Sequence, residues 1–195
     1  MVAQLVELGH KVACQHEVKD IDSGDLAFFI SCGQIVPPEV LKKHHHNLVV
    51  HESNLPEGKG WSPLTWQILE GKNEISICLF EAQETVDSGK IYLKDTLKFK
   101  GTELVDELRY TQAMMTIRMC LEFVEKYPEI LSKGQKQEGK STYYKRRKPK
   151  DSQLDIDKTI REQFNLLRVV DNERYPAFFE IDGERFVLKI EQIKS

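Results

Sequence analysis

The chain has 195 residues, 40% of them hydrophobic and 30% charged, with a formal net charge of -3. Such a chain is long enough for one well-cored domain with a small appendage, and its charge balance gives no overall pull toward nucleic acid or membrane. It holds no run of about 18 apolar residues that would span a bilayer and no charged start leading into an apolar stretch and a cleavage site, so a cytoplasmic location is expected.

Val2, Leu5, Val6 and Leu8 share a face and Gly9 follows, so the chain opens within a helix, and Lys11 to Gln15 reads as a short strand. Leu26 to Ser31 is a fully apolar strand, followed by a turn around Gly33 and a short helix opened by Pro38. "HNLVVHES" predicts a further strand ending near His51. Apolar strands separated by helices favour a parallel α/β sheet with both faces covered. Folds of this class begin with a strand, so the core sheet is expected to lack its first strand, with residues before Met1 absent. After a loop rich in Gly and Pro, "LTWQILEGK" has a helical period and a Gly stop, "EISICLFEA" alternates as a strand, and "DSGKIYLKDTLKF" is extended. The longest helix starts after Gly101, with Leu104, Leu108, Met115 and Met119 as its core stripe. Residues 133–155 are polar and basic and read as a linker or loop between a core (1–132) and a small tail (156–195). In the tail, "DKTIREQFNLLRVV" predicts an amphipathic helix and "AFFEIDGERFVLKI" two strands around an Asp182-Gly183 turn.

His51 lies where a strand leaves the sheet at its carboxyl end, where open α/β folds place ligands. A lone histidine there is equally a hydrogen-bonded structural residue. Ser53, Gly58, Lys59, Gly60 and Ser62 follow with hydroxyls, backbone N–H groups and a cation that could cradle a phosphate or carbonyl, or form an ordinary surface loop. Asp87, in "VDSGKIY", is either an Asx-type turn or a partner that raises the basicity of His51 and fixes its tautomer. Lys145, Arg146, Arg147, Lys148 and Lys150, next to Tyr143 and Tyr144, suit diphosphate oxygens or a solvated loop, and no nucleic-acid-binding module accompanies them. His44, His45 and His46 cannot all face one ion from a regular strand, so no metal is expected and solvent exposure is. Cys14, Cys32, Cys78 and Cys120 lack C-x-x-C spacing and are expected as buried free thiols.

"VVHESNLPEGKGWSPLTWQILEGKNEISICLFEAQETVDSGKIY" resembles the folate-dependent formyltransferases, in which an Asn-x-His strand end, a Ser-x-Leu-Pro-x-x-x-Gly-x-x-Pro-x-x-Trp loop and a later Asp-x-Gly turn form the transfer site. "Gly-Trp-Ser-Pro", "YYKRRKPKDSQLD" and "YPAFFEIDGERFVLKI" are most similar to the sugar N-formyltransferases, including those of pseudaminic-acid-type pathways. The resemblance runs from Gly9 to Ile190 and implies a Rossmann-like α/β formyltransferase core with a helix-plus-hairpin appendage. It implies His51 and Asp87 as catalytic residues. The family asparagine position is Val49 here; Asn47 is the nearest substitute on the same strand face, about 13 Å from His51, and Asn54 lies on the loop. It implies N10-formyltetrahydrofolate as cofactor, held by backbone groups of Gly33, Gln34, Ile35, Val36, Thr85, Val86 and Asp87, with the Ile35 and Val36 side chains in the core. The acceptor implied is the amine of a nucleotide-linked 4-amino-4,6-dideoxy sugar, bound by Ser53, Lys59, Gly60, Trp61, Arg146 and Arg147. A homodimer is expected, with no nucleic-acid or membrane partner. The alternatives are a methionyl-tRNA or glycinamide ribonucleotide formyltransferase, the short tail counting against RNA, and a catalytically inactive folate- or nucleotide-sugar-binding protein.

Overall fold

The structure, a computed structural model, describes residues 1–193. Helix α1 (Val2–Glu7) stops at Gly9, whose φ of +89° suits a residue without a side chain. Lys11 to Gln15 form no strand: Val12 alone is half-buried, and no strand lies alongside among the described residues, so nothing fixes a ladder there. Strand β1 (Gly24–Phe29) runs to α2 (Pro38–Leu41), which Pro38 opens with its fixed φ, and then to β2 (His44–His51), parallel to β1. A two-residue β3 (Lys59–Gly60) and α3 (Pro63–Leu69) lead to β4 (Glu74–Glu81) and β5 (Ile91–Lys98).

The main sheet has the order β1-β2-β4-β5. It is mixed rather than parallel throughout, because β2–β4 and β4–β5 are antiparallel pairs. Parallel neighbours need a crossover of a dozen or more residues, and the link between β4 and β5 is too short for one. Strand β4 is buried on both faces. Ile75, Ile77 and Leu79 pack into the main core with Leu108, Met119 and Phe123 of α4 (Val105–Glu125), while Cys78 and Phe80 join Leu55 and Ile91 in a second cluster. Cys78 and Cys120 are buried as expected, and burial pushes each thiol up to about 12; Cys14 and Cys32 are instead exposed, on segments that no element covers. The histidine triplet is not uniformly solvated either. His45 is exposed beside Asp25, but alternation along β2 turns His46 inward to Glu81 (3.0 Å) and the edge of Tyr127.

Residues 133–155 are not a free linker. Tyr143–Tyr144 form β6, which pairs with β3 in parallel, and Tyr144 stacks on Trp66 with ring planes 8° apart. Lys59 N–H donates to the Thr142 carbonyl (2.9 Å) and Trp61 N–H to that of Tyr144 (3.1 Å). Gly60 sits between them at φ +96°, where a Cβ would lie 2.5 Å from the Tyr144 carbonyl oxygen. In the tail, α5 (Phe164–Val169) is shorter than the predicted helix. The Gln163 side chain bonds the backbone of Asp155 and Lys158, which satisfies by side chain what a longer helix would have satisfied by its own ladder. Strands β7 (Ala177–Ile181) and β8 (Glu184–Leu188) form the expected hairpin, with Asp182 and Gly183 both at positive φ as a type I′ turn requires. No helix among the described residues is long and apolar enough to cross a membrane.

Arg168 ties the tail to the core. It is 1% exposed, and its guanidinium donates to the side chains of Asn73 (3.0 Å), Asn165 (3.1 Å) and Glu103 (3.3 Å) and to the Glu103 carbonyl (3.2 Å). Removing one partner of such a buried ion pair leaves the other charge uncompensated, so Arg168→Ala is expected to lower stability by about 3–5 kcal/mol in urea unfolding. At Gly60, a positive φ and a backbone clash act together. Gly60→Ala is expected to weaken the β3–β6 pairing by about 1–3 kcal/mol, read as roughly ten- to hundredfold faster amide exchange at Trp61.

Candidate active site

The loop from Glu52 to Ser62 is fastened to the fold before any chemistry is considered. The chain turns at Glu52, where Ser53 N–H donates to the His51 carbonyl (3.0 Å), and Leu55 then buries itself against Cys78 and Phe80. His51, 7% exposed and edge-on to Phe80, donates through Nε2 to the Gly58 carbonyl at 2.9 Å. A carbonyl only accepts, so Nε2 carries a hydrogen. Asp87 Oδ2 accepts from Gly60 N–H at 2.9 Å. The aspartate has φ +51°, a left-handed conformation that Asp tolerates, and the turn carrying it is closed by Ser88 Oγ donating to the Thr85 carbonyl (2.6 Å). His51 and Asp87 therefore grip peptide groups two residues apart in one loop, whose Cα atoms are no more than about 7 Å apart.

Asn47 does not join this pair. Its Nδ2 donates to the Leu41 carbonyl (2.8 Å), at the end of α2, and three residues of extended strand separate it from His51. Its Oδ1 is buried without a partner, as is Ser53 Oγ. Of the segments expected against the cofactor, Gly33, Gln34, Ile35 and Val36 follow β1, and Thr85, Val86 and Asp87 follow β4. Ile35 is not in the core but 73% exposed, and Val86 is 48% exposed. The whole turn is open: nothing stands within 4 Å of where a Gly33 Cβ would be, residues 30–35 are exposed, and Val36 is half-buried. Each loop thus leaves one apolar side chain uncovered next to its backbone groups.

A cavity of about 370 Å³ opens beside the loop. Its wall includes Trp61, Arg146, Arg147 and Lys148, so three of the six residues expected to bind substrate gather here. The Arg146 guanidinium lies 4.8 Å over the Trp61 ring. Arg147 donates to the Asp151 carbonyl (2.9 Å) and Ser152 Oγ (3.2 Å), while its Nε is buried without a partner. Ser53, Lys59 and Gly60 lie outside this lining, with Ser53 and Lys59 buried; His51 and Asp87 are likewise not part of it. Glu52, Arg109 and Gln112 line the cavity and were not singled out from the sequence. Their one signal was Arg109 and Gln112 three residues apart on α4, hence on a common face. Burial raises the Glu52 carboxyl above its usual value, against the opposing influences of His51 and the hydrogen bond from Gln112.

Residues 9–116 match the family model described as formyl transferase. A methionyl-tRNA formyltransferase from Sulfurihydrogenibium is 27% identical over 149 residues, which make up 75% of this chain and 48% of that relative. Among solved structures, methionyl-tRNA formyltransferase from Clostridium thermocellum has a TM-score of 0.69 at 28% identity, over 87% of this chain and 73% of the other. A sugar N-formyltransferase from Shewanella shares the fold, with a TM-score of 0.65 at 19% identity over 98% of this chain and 82% of that one. The chain spans about half the length of the curated relatives it matches. The family match takes in more than half of the residues, and the chain belongs to the formyl transferase family.

Proposed function

We propose that this chain moves a formyl group from N10-formyltetrahydrofolate to the amine of a nucleotide-linked 4-amino-4,6-dideoxy sugar. The observation that carries the reading is the loop itself: His51 and Asp87 hold one stretch of it, and the residues that follow, beginning at Trp61, enter a cavity walled by Arg146, Arg147 and Lys148. An aromatic ring beside guanidinium groups suits a sugar nucleotide, whose diphosphate takes the charge-assisted hydrogen bonds. The donor, when bound, supplies an activated formyl carbonyl. Backbone groups of Gly33, Gln34, Ile35 and Val36 and of Thr85, Val86 and Asp87 hold its ring, with Ile35 and Val86 against the ring face.

Attack by an amine places negative charge on the formyl oxygen. The His51 Nε2–H stabilises that charge once it exchanges the Gly58 carbonyl for the substrate oxygen. The Asp87 carboxylate would receive the proton that the attacking nitrogen sheds, directly or through water, and collapse of the adduct would break the bond from the formyl carbon to N10, which takes up a proton and leaves as tetrahydrofolate. The hairpin's exposed Ile181, Phe186 and Val187 support a homodimer.

A second reading, methionyl-tRNA as acceptor, is supported by the names of the curated relatives. Mass spectrometry separates the two. Incubation with N10-formyltetrahydrofolate and a panel of UDP- and dTDP-linked amino sugars should yield a product heavier by one formyl group, and incubation with methionyl-tRNA should not. His51→Asn and Asp87→Asn are each expected to lower kcat by about 10²- to 10⁴-fold, whereas loss of the loop hydrogen bond lowers unfolding stability by only about 0.5–1.5 kcal/mol. Parental turnover by His51→Asn protein would sink the assignment.

A further inference from the structure

Glu52 is anomalous among the buried groups of this protein. It is 7% exposed, yet among the described residues no lysine, arginine or histidine forms a salt bridge with it. A buried carboxylate without a cation is costly, and such groups are normally paired. Of the half-buried carboxylates, Glu103 meets Arg168, Asp171 meets Arg109 and Glu81 receives the Tyr92 hydroxyl, His46 and the Asn47 N–H, while Asp87 and Glu107, more exposed than Glu52, accept backbone N–H groups. Glu52 has a single side-chain donor, Gln112 Nε2 at 2.7 Å, and its backbone is fixed by Gln67 Nε2 on its carbonyl at 2.6 Å. Both amides hold the carboxyl in place, and neither neutralises it.

The cavity supplies the context. Glu52 lines it, and the same lining contains Arg109, Arg146, Arg147 and Lys148. Arg109 is engaged by Asp171 and Arg147 by the Asp151 carbonyl and Ser152, whereas Arg146 rests on the Trp61 ring with no carboxylate on it. The cavity thus carries a carboxyl with no cationic partner together with Arg146, a cation with no carboxylate on it. A ligand complementary to it is dipolar, with a protonated amine for the carboxylate and an anionic group for the guanidinium wall. Glu52 also follows His51 directly in the chain, which puts the cavity one residue along the backbone from the candidate catalytic histidine, whose own side chain turns to Phe80 and the Gly58 carbonyl.

We infer that Glu52 is the residue that recognises the acceptor's amine, forming an ion pair with it at the inner end of the cavity while the arginine wall holds the diphosphate. This deepens the sugar-amine reading and rests on it. Glu52 selects a 4-amino sugar over the corresponding 4-hydroxy sugar, because a hydroxyl can donate to the carboxyl but cannot neutralise it.

The test is calorimetric binding of the UDP- and dTDP-linked 4-amino-4,6-dideoxy sugars and their 4-hydroxy counterparts, alongside steady-state kinetics. Wild-type protein is expected to bind the amine about ten- to hundredfold more tightly than the alcohol, the size of a charge-assisted hydrogen bond. Glu52→Gln keeps the shape and is expected to bring that ratio close to one, raising KM for the amino sugar and leaving KM for N10-formyltetrahydrofolate unchanged. Retention of the parental ratio by Glu52→Gln overturns the inference while leaving the sugar reading intact. Equal affinity of wild-type protein for amine and alcohol also overturns it, whether or not the variant folds. If no nucleotide sugar binds wild-type protein, the sugar reading and the inference fall together.

Discussion

The hydrogen bonds from His51 to the Gly58 carbonyl and from the Gly60 amide to Asp87 are the constraint on which the site depends. They bring two residues from distant parts of the chain onto one short piece of backbone. Neither bond would hold that backbone alone, because a glycine-rich loop has much conformational freedom to lose. Leu55 anchors the near end in an apolar cluster, and the β3–β6 ladder anchors the far end. With both ends fixed, the imidazole and the carboxylate meet a backbone already ordered, so little of their interaction is spent on ordering it.

The same ladder sets the geometry of the cationic wall. Tyr144 stacks on Trp66, the Trp66 indole N–H donates to the Lys145 carbonyl at 2.8 Å, and Lys145 lies over the Trp66 ring at 5.6 Å. Arg146 and Arg147 come next in the chain and are carried to the cavity by that attachment. A basic segment that would otherwise be a solvated loop becomes one wall of a half-open cavity. Arg168 then fixes the remaining side, since the cavity is also lined by Val169, Asp171 and Tyr175 from the tail.

Local signals were read well and non-local ones poorly. The alternation in "EISICLFEA", the Gly stops after α1 and α3, and the Asp182-Gly183 turn each depend on a few neighbouring residues, and each is present. The formyltransferase fold was legible because a long ordered run of residues carries it. The mixed sheet was not, since strand direction is decided by which strands meet, and apolar strands look alike from their sequences. Lys11 to Gln15 has the composition of a strand but no neighbour to pair with. Ile35 and Val86 were legible as apolar but not as exposed. At the site, His51 and Asp87 could be named from the resemblance. Asn47 is the nearest asparagine to the family position held here by Val49, and its amide goes to Leu41. Glu52 and Gln112 stand sixty positions apart and become visible only when α4 is laid beside the loop.

Gly89 has a mechanical meaning. A Cβ there would lie 1.8 Å from the Glu81 carbonyl oxygen, so the neck of the turn that carries Asp87 is closed directly onto the end of β4, backbone against backbone. Such a neck has no side chain to compress or rotate out of the way. The aspartate is therefore mounted on the sheet almost as a tooth on a rack: a small slide of β4 would be passed undamped to the carboxylate, and through it to the Gly60 amide.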